Sequence, residues 1–281
     1  MDNAVFLAVL FAALCHAGWN ALIKGGLDAL SATTLISIGS GLVSLVLLPV
    51  VGLPAAAAWP WLIASALIHL VYFAALIESY RTGDLGQVYP IARGAAPLMT
   101  AIAAVTLLGE HLTVIGWGGI VVLVAGVFLL SLRGGRALAA FDRRAVGFAL
   151  LTAATICGYS VVDGVGARAS GNATAYTLWM FLGNALVLVP YAMLRGGSRI
   201  FGIMQPYWRR GLAGGAMQLV SYGIAIWAMT VAPIAIVAAL RETSVLFGAA
   251  IAVVVLKEPL RPMRIVAALL IVVGLAMIRL Q

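Results

Sequence analysis

Ten apolar segments, each close to 20 residues long, follow one another along this chain and limit what it can fold into. The hydrocarbon core of a bilayer is about 30 Å thick, so a helix needs about 20 apolar residues to cross it. The segments are 4–23, 32–52, 60–80, 87–107, 112–131, 145–167, 174–194, 210–231, 234–256 and 263–279. Ten spans of this length use about 200 of the 281 residues, which leaves only short connections. We predict an all-α integral membrane protein with about ten transmembrane helices and no soluble catalytic domain.

The low content of charged residues is typical of a protein embedded in lipid rather than dissolved in water. They make up 9% of the chain, whereas a soluble domain carries about 25%. The net charge of +8 comes from basic clusters between the apolar segments, a pattern typical of cytoplasmic loops, so we expect a lipid bilayer rather than nucleic acid as partner. The sequence contains no phosphate-binding loop, nucleophile motif or metal-ligand cluster. We therefore expect no enzyme activity, no cofactor and no metal.

An internal repeat becomes visible when the chain is shifted by 148 positions. Arg93 then falls on Arg241, and Glu110 falls on Glu258, so each intramembrane arginine is followed 17 residues later by a glutamate. Weak internal symmetry of this kind is common in transporters. We predict two five-helix repeats, 1–132 and 145–281, joined by a basic linker at 133–144.

Loop charge predicts how these repeats are oriented. The connections after the odd-numbered segments hold 13 of the basic residues, and the other side holds only Arg168 and Arg279. The positive-inside rule makes the first set, including the linker, cytoplasmic and places both termini outside. Because each repeat has an odd number of helices, the two repeats are predicted to be inverted relative to each other.

The repeat-related arginines are the first candidates for a binding site. Arg93 and Arg241 lie six to seven residues inside their segments, or about 10 Å from opposite faces at 1.5 Å per residue. Arginine binds carboxylates and phosphates bidentately, and transporters bind substrates near the midplane between repeats. The alternative is that each arginine pairs with a buried acid. The available acids are Glu242, Asp163 and Glu78.

Other polar and aromatic residues share helix faces with a predicted cavity. Span one places His16, Trp19 and Asn20 on one face, and span six places Tyr159 and Asp163 at an i, i+4 spacing. Asp163 is the leading candidate for proton coupling. Glu110 and Glu258 are expected to cap the helices that follow them. The further substrate-binding candidates are Tyr72, Tyr89, Tyr222 and Trp227.

The two repeats resemble a known family. Leu108-Gly109-Glu110 followed by Gly126, and Leu256-Lys257-Glu258 followed by Gly274, are similar to the EamA family of the drug/metabolite transporter superfamily. This resemblance implies a secondary transporter of a bacterial inner membrane that works by alternating access around a central cavity. Members of this kind are commonly exporters of amino acids or similar metabolites.

Three functional hypotheses follow. The first is an exporter of small amphipathic metabolites such as amino acids, aromatic ones included, whose carboxylate meets Arg93 or Arg241. The second is a transporter of organic anions such as phosphonates or sugar phosphates, since two arginines with His16 suit a dianion. The third is a membrane scaffold or sensor that transports nothing. The expected partner is a small-molecule substrate, and a chain that holds both repeats is able to work as a monomer.

Overall fold

The described part of the chain consists of helices and short connections. The computed structural model of the protein describes residues 1–22, 26–82, 85–131, 143–255, 257 and 262–280, without the side chains of residues 79–82, 85–90 and 145. Within these residues, ten helical segments are long and apolar enough to cross a membrane. The all-α architecture with ten spans is therefore confirmed.

The helix bounds follow the apolar segments closely. The first half contains α1 (Asn3–Leu22), α2 (Ala29–Val51), α3 (Trp59–Thr82), α4 (Leu85–Leu108) and α5 (Val114–Ser131). The second half contains α6 (Arg143–Ser170), α7 (Ala173–Gly196), α8 (Arg199–Met204), α9 (Trp208–Val231), α10 (Ile234–Arg241), α11 (Ser244–Val254) and α12 (Pro262–Leu280). Two features were not predicted: the short helix α8, and the division of the ninth span into α10 and α11.

Helices α2 and α7 occupy the same place in the two halves and are built alike. Each begins at a side chain that accepts hydrogen bonds from two backbone amides of the first turn, Asp28 for α2 and Asn172 for α7. Such caps satisfy amides that have no partner within the helix. Each helix also contains one proline and ends at a glycine with positive φ: Pro49 and Gly52 in α2, Pro190 and Gly197 in α7.

Helix packing repeats when the two halves are exchanged. Helix α2 packs against α7, and α5 packs against α12. The packing of α3 on α6 is matched by that of α9 on α1, and the packing of α4 on α6 is matched by that of α10 and α11 on α1. Because every one of these contacts has its counterpart, the bundle has the pseudo-two-fold pattern expected of a duplicated five-helix unit.

Contacts near the ends of the helices identify the two ends of the bundle. At the basic end, which we define by the connections after α1, α3 and α7, Arg195 forms an ion pair with Glu78 at 2.5 Å. At the opposite end, defined by the connections after α2, α4 and α9, Trp179 Nε1 donates to the carbonyl of Gly52 at 3.2 Å. Consecutive spans alternate between these ends, so α1 and α6 start at different ends.

Glycines allow the closest helix crossings. A Cβ added at Gly274 of α12 would lie 2.5 Å from the backbone nitrogen of Leu123 in α5. Small residues let helix backbones approach in lipid, where apolar side chains gain little by leaving their surroundings. Large apolar side chains such as Val50 and Val114 remain exposed on the outer surface, where a bilayer would cover them.

Candidate functional site

A cavity of about 100 Å³ lies between seven helices, α1, α2, α3, α6, α7, α9 and α10. Both halves therefore contribute to it. Six of the residues that the sequence put forward line this cavity: His16, Trp19, Tyr72, Tyr159, Tyr222 and Arg241. The central cavity between two repeats is the place where transporters hold their substrates.

Aromatic rings form one wall of the cavity. Tyr159 stacks on His69 with 4.3 Å between ring centroids, and it meets Tyr72 and Tyr222 edge-on at 5.6 and 5.9 Å. His69 is held in turn by a contact of 2.9 Å between its Nδ1 and the carbonyl of Ser65. These contacts fix the rings, so the wall offers a preformed apolar surface with hydroxyl groups at its margin.

Arg241 supplies positive charge to the cavity. It is the last residue of α10, and its guanidinium lies over the ring of Tyr222, 4.5 Å from the centroid. Within the described part of the chain, Arg241 forms no ion pair with an acid. A guanidinium stacked on an aromatic ring keeps its donors available for a carboxylate.

Asp163 lies behind the aromatic wall and is fully buried. Its Oδ2 accepts a hydrogen bond from Tyr222 at 2.6 Å, and its Oδ1 accepts one from Tyr176 at 3.0 Å. Among the described residues these two phenols, rather than an arginine, are its hydrogen-bond partners. Tyr222 therefore links a buried carboxylate to the cavity and to Arg241.

Arg93 has a different environment from Arg241. Its Nε lies 3.1 Å from Glu242 Oε2, and its Nη2 donates to Ser244 Oγ at 2.8 Å. Both members of the ion pair are largely buried. Of the two possibilities that the sequence left open for Arg93, the structure shows pairing with a buried acid of the other half.

The ninth span tightens where it carries these charged residues. The amides of Glu242 and Thr243 bond to the carbonyls of Ala239 and Leu240, three positions earlier, at 3.1 Å each. Such a 3₁₀ turn within a helix changes the direction of consecutive side chains. Arg241 consequently lines the cavity, while its neighbour Glu242 faces Arg93.

Some candidate residues lie away from the cavity. Asn20 is exposed, and its side-chain amide donates to the carbonyl of His16 at 2.8 Å. Trp227 is 41% exposed on the outer surface of α9. Glu78 pairs with Arg195 at the basic end. The side chain of Tyr89 lies outside the described residues.

Sequence reasoning missed several polar residues of the cavity. Thr33 and Ser37 of α2 and Asn184 of α7 line it, as does Gln218 of α9. Asn184 is the one asparagine within its apolar segment, and that isolation was the available signal. Single amides were difficult to rank because polar side chains also join helices in membranes.

Three buried polar atoms in the cavity wall lack a hydrogen-bond partner within the described residues. They are Trp19 Nε1, Asn184 Oδ1 and Gln218 Oε1. Buried polar groups are nearly always satisfied, and an unsatisfied one costs about 1–3 kcal/mol. The residues that carry this donor and these two acceptors line the cavity, although the three atoms themselves have almost no accessible surface in this conformation.

The cavity extends from near the basic end of the bundle to Arg241, which lies seven residues from the first residue of α10 at the opposite end. Trp19 is three residues from the last residue of α1, and Thr33 is four residues after the first residue of α2. At 1.5 Å per residue, both are within about 6 Å of the basic end of their helices.

The opposite end is tied together by Glu110. Its carboxylate accepts from the amides of Ile234 and Ala235 at 2.8 and 3.1 Å and forms an ion pair of 3.1 Å with Arg168. Arg168 also donates to the carbonyl of Met229 at 2.8 Å.

The expectation that Glu110 caps the helix following it is therefore wrong. The N-terminus of α5 is capped instead by Thr113, whose Oγ1 accepts from Gly116 at 3.1 Å. Thr113 stands directly before α5, which leaves the longer Glu110 free to reach α10 in the other half. Glu258 lies outside the described residues.

In the described part of the chain, ten helices are long and apolar enough to span a membrane, and both halves line one cavity, an architecture typical of transporters. The sequence model of the EamA-like transporter family matches residues 3–132 and 144–280. The chain belongs to the EamA-like transporter family, and it is a multi-pass membrane protein that transports small molecules. Family membership favours transport over the scaffold or sensor alternative.

Further comparisons support the fold alone. A solved structure described as "Crystal structure of protein" superposes with a TM-score of 0.78 over 100% of this chain and 99% of that chain, at 18% sequence identity. A search of curated proteins finds no match.

Proposed function

We propose that this transporter exports small zwitterionic, amphipathic molecules, amino acids foremost and aromatic ones among them, across a bacterial inner membrane. The observation that carries the proposal is Arg241, a guanidinium on the cavity wall that forms no ion pair within the described residues. A carboxylate is its natural partner, because a guanidinium bonds both carboxylate oxygens at once. The tyrosine wall beside it suits an apolar or aromatic side chain.

The unsatisfied polar atoms complete the match to a zwitterion. Asn184 Oδ1 and Gln218 Oε1 are acceptors, as an ammonium group requires, and Trp19 Nε1 is a donor to a carboxylate. A molecule with both groups carries a partner for each of these atoms once their side chains turn toward the cavity, and its carboxylate also suits Arg241. A simple carboxylate leaves the two amide oxygens without a donor.

The size of the cavity supports a small substrate. Its volume of about 100 Å³ is well below the roughly 300–1,000 Å³ of pockets for drug-sized ligands. In this conformation the cavity suits a metabolite with few heavy atoms better than a bulky drug.

The position of the cavity supports export. It extends to within about 6 Å of the basic ends of α1 and α2, which loop charge predicts to be cytoplasmic. A substrate then enters from the cytoplasm. Inside-out membrane vesicles are expected to accumulate substrate, and accumulation confined to right-side-out vesicles would contradict this direction.

Counterflow in liposomes tests the substrate class. Purified protein should exchange labelled phenylalanine, and Arg241→Gln should reduce the initial rate at least tenfold, because the carboxylate loses a bidentate, charge-assisted partner. Arg209→Gln is the matched control, since Arg209 is exposed at the start of α9 and, among the described residues, stacks on Trp208. Wild-type exchange by the Arg241 variant, or flux of organic anions but of no zwitterion, would overturn the proposal.

A monomeric transporter is part of the proposal. The cavity is lined by helices of one chain, which supports transport without a second copy. The mass of the active protein in detergent, corrected for bound detergent, is expected to equal one chain. Activity that falls on dilution together with dissociation of a dimer would contradict this.

A further inference from the structure

The two repeat-related arginines are not equivalent in the folded protein. Arg93 lies 3.1 Å from Glu242 and donates to Ser244 at 2.8 Å. Arg241 lies over the ring of Tyr222 and lines the cavity. Two residues at the same position of a duplicated unit thus have opposite surroundings, one neutralised by an acid and one facing the cavity.

The origin of this asymmetry is in the sequence. When the second half is shifted back by 148 positions, Glu242 falls on Gly94 and Ser244 falls on Ala96. The second repeat therefore supplies an acid and a hydroxyl to Arg93. The first repeat has neither group at these positions to supply to Arg241. A change of conformation does not remove this difference, because the side chains themselves are absent.

The charges around the cavity are balanced. Arg93 and Arg241 carry two positive charges, and Glu242 and Asp163 carry two negative charges when both are ionised. Asp163 is separated from the cavity by the hydroxyl of Tyr222. Glu242 directly follows the cavity-lining Arg241 in the chain, so the Arg93 pair lies next to the wall of the cavity. Removing the charge of Glu242 makes the net charge of these four residues more positive by one unit, whether or not Asp163 is ionised.

We propose that Glu242 determines the charge selectivity of this transporter: it neutralises Arg93, leaves Arg241 as the cation for the substrate head group, and so favours a monoanionic head group over a dianionic one. The inference rests on the proposed function only in that the head group binds Arg241. Glu242 is a specificity-determining residue that acts through Arg93, since it faces Arg93 rather than the cavity. Ser244 orients Arg93 and contributes no charge.

The test compares two head groups on the same molecule. The probes are phenylalanine and its phosphonic acid analogue, in which a phosphonate replaces the carboxylate, at a pH where the phosphonate carries two charges. Each competes against labelled phenylalanine in counterflow. The wild type is expected to prefer phenylalanine at least tenfold, and Glu242→Gln to reduce this preference at least tenfold because Arg93 then attracts the second charge.

Matched variants separate charge from structure. Ser244→Ala removes a hydrogen bond of Arg93 without changing charge, so the preference is expected to stay at the wild-type value. Arg93→Gln leaves Glu242 without its cation and is expected to increase the preference, the opposite direction to Glu242→Gln. The double variant Arg93→Gln/Glu242→Gln restores the charge balance and is expected to restore the preference. Removing one partner of a buried ion pair destabilises a protein, so the double variant also serves where Glu242→Gln does not fold.

A second pair of probes keeps the inference independent of amino-acid transport. Benzoate and phenylphosphonate differ only in head group, and their binding is measured as thermal stabilisation of the detergent-solubilised protein. If phenylalanine is not transported while this preference still responds to Glu242→Gln, the proposed function fails and the charge selectivity stands. The inference is overturned if both preferences are unchanged in Glu242→Gln, if Arg93→Gln shifts them in the same direction, or if the double variant does not restore them.

Discussion

Three acids among the described residues take their roles from their partners. Asp163 accepts from two phenols, Glu242 faces a guanidinium, and Glu110 accepts from two backbone amides. The carboxylate of Asp163 is thus part of a hydrogen-bonded chain to the cavity. That of Glu242 balances the charge of Arg93, and that of Glu110 caps a helix. An ionisable residue inside a membrane is costly and is kept for function or pairing, and Asp163 and Glu242, which lie within spans, differ in their partners.

Asp163 is the residue for which we predict proton coupling. The variant Asp163→Asn keeps an acceptor for one tyrosine but cannot carry a proton on and off. Uphill transport driven by a pH gradient is therefore expected to fall at least tenfold, while counterflow exchange, which needs no net proton movement, is retained. Both rates are measured with the same liposomes.

Tyr176→Phe is the control for Asp163. It removes one hydrogen bond at 3.0 Å and leaves both the carboxylate and its bond to Tyr222. Gradient-driven transport is expected to persist in this variant. Loss of gradient-driven transport in Tyr176→Phe but not in Asp163→Asn would exclude Asp163 as the coupling residue.

We predict that the stability of the fold depends on pH through the carboxyl group of Asp28. It lies before α2, outside the membrane spans. Burial alone would raise the pKa of Asp28, but hydrogen bonds from the Ser31 side chain and from the amides of Ser31 and Leu30 outweigh burial and lower its pKa below the usual value. A carboxyl group with a lowered pKa stabilises the fold above its unfolded pKa of about 3.9 and loses that contribution as the pH falls through its folded pKa.

The prediction is tested by measuring the thermal unfolding midpoint of the wild type and of each Asp28 variant at a series of pH values between 7 and 3. The wild type is expected to lose stability at the acid end relative to Asp28→Asn, which keeps a capping oxygen that does not titrate. Because an N-cap contributes about 1 kcal/mol, Asp28→Ala should be less stable than both at neutral pH. Equal pH profiles for wild type and Asp28→Asn would contradict the assignment.

At the scale of elements, α10 depends on the other half of the chain for its cap. It begins after Pro233, which has no side-chain acceptor for the first amides. Glu110, from the first half, accepts from the amides of Ile234 and Ala235. A carboxylate at a helix N-terminus satisfies unpaired donors and interacts favourably with the helix dipole.

Glu110→Ala is therefore expected to destabilise the protein by about 1–2 kcal/mol, the range for loss of a helix cap. Glu110→Gln retains one acceptor oxygen, so it should lose less stability than Glu110→Ala. The ion pair with the half-exposed Arg168 adds little to this difference, because exposed pairs are weakened by solvent. Denaturation in detergent measures the order, and equal stability of the alanine and glutamine variants would show that the cap is not used.

At the scale of the whole molecule, two glycine-lined crossings hold the repeats together. Helix α5 meets α12 at Gly119, Gly126 and Gly274, and α2 meets α9 at Gly39, Gly211 and Gly215. A Cβ at any of these six glycines would lie 2.9 Å or less from an atom of the facing helix. The first crossing joins the last spans of the two halves, so its geometry fixes one half on the other.

Two glycine-to-alanine changes are expected to have opposite signs. Gly274→Ala places a Cβ 2.5 Å from the nitrogen of Leu123 and should destabilise by about 1–3 kcal/mol. In Gly248→Ala, the added Cβ in α11 meets no atom within 4 Å. Because alanine has a higher helix propensity than glycine, this variant should be more stable than the wild type by up to about 1 kcal/mol. Thermal midpoints of both variants test this, and similar shifts would show that the crossing is not closely packed.

Most of the fold was predictable, because it follows from local requirements. In lipid, each span must satisfy its own backbone hydrogen bonds, so hydrophobic length alone predicts ten helices. The break between α10 and α11 was not predictable, since no proline or glycine stands within four residues of Glu242 or Thr243. There the i to i−3 bonding is set by packing around Arg93 and Arg241 rather than by propensity.

The candidate site was predictable only as a set of residue types. Helical spacing brought out six residues that line the cavity, together with Asn20 and Trp227, which do not. Spacing places residues on one face of a helix, but the rotation of that helix against its neighbours decides whether the face meets the cavity or the lipid. Asn184 was missed for the same reason, because a single amide has no periodic pattern.

The sequence by itself determined the ten spans, the duplication and the presence of two intramembrane arginines, because hydrophobic length and repeated spacing are properties of the chain. Only the tertiary structure decided how the arginines differ. The bond from Arg93 to Ser244 joins residues 151 positions apart, and the bond from Tyr222 to Asp163 joins residues 59 positions apart. Partners so distant are chosen by how the helices pack, and that packing neutralises Arg93 while it places Arg241 on the wall of the cavity.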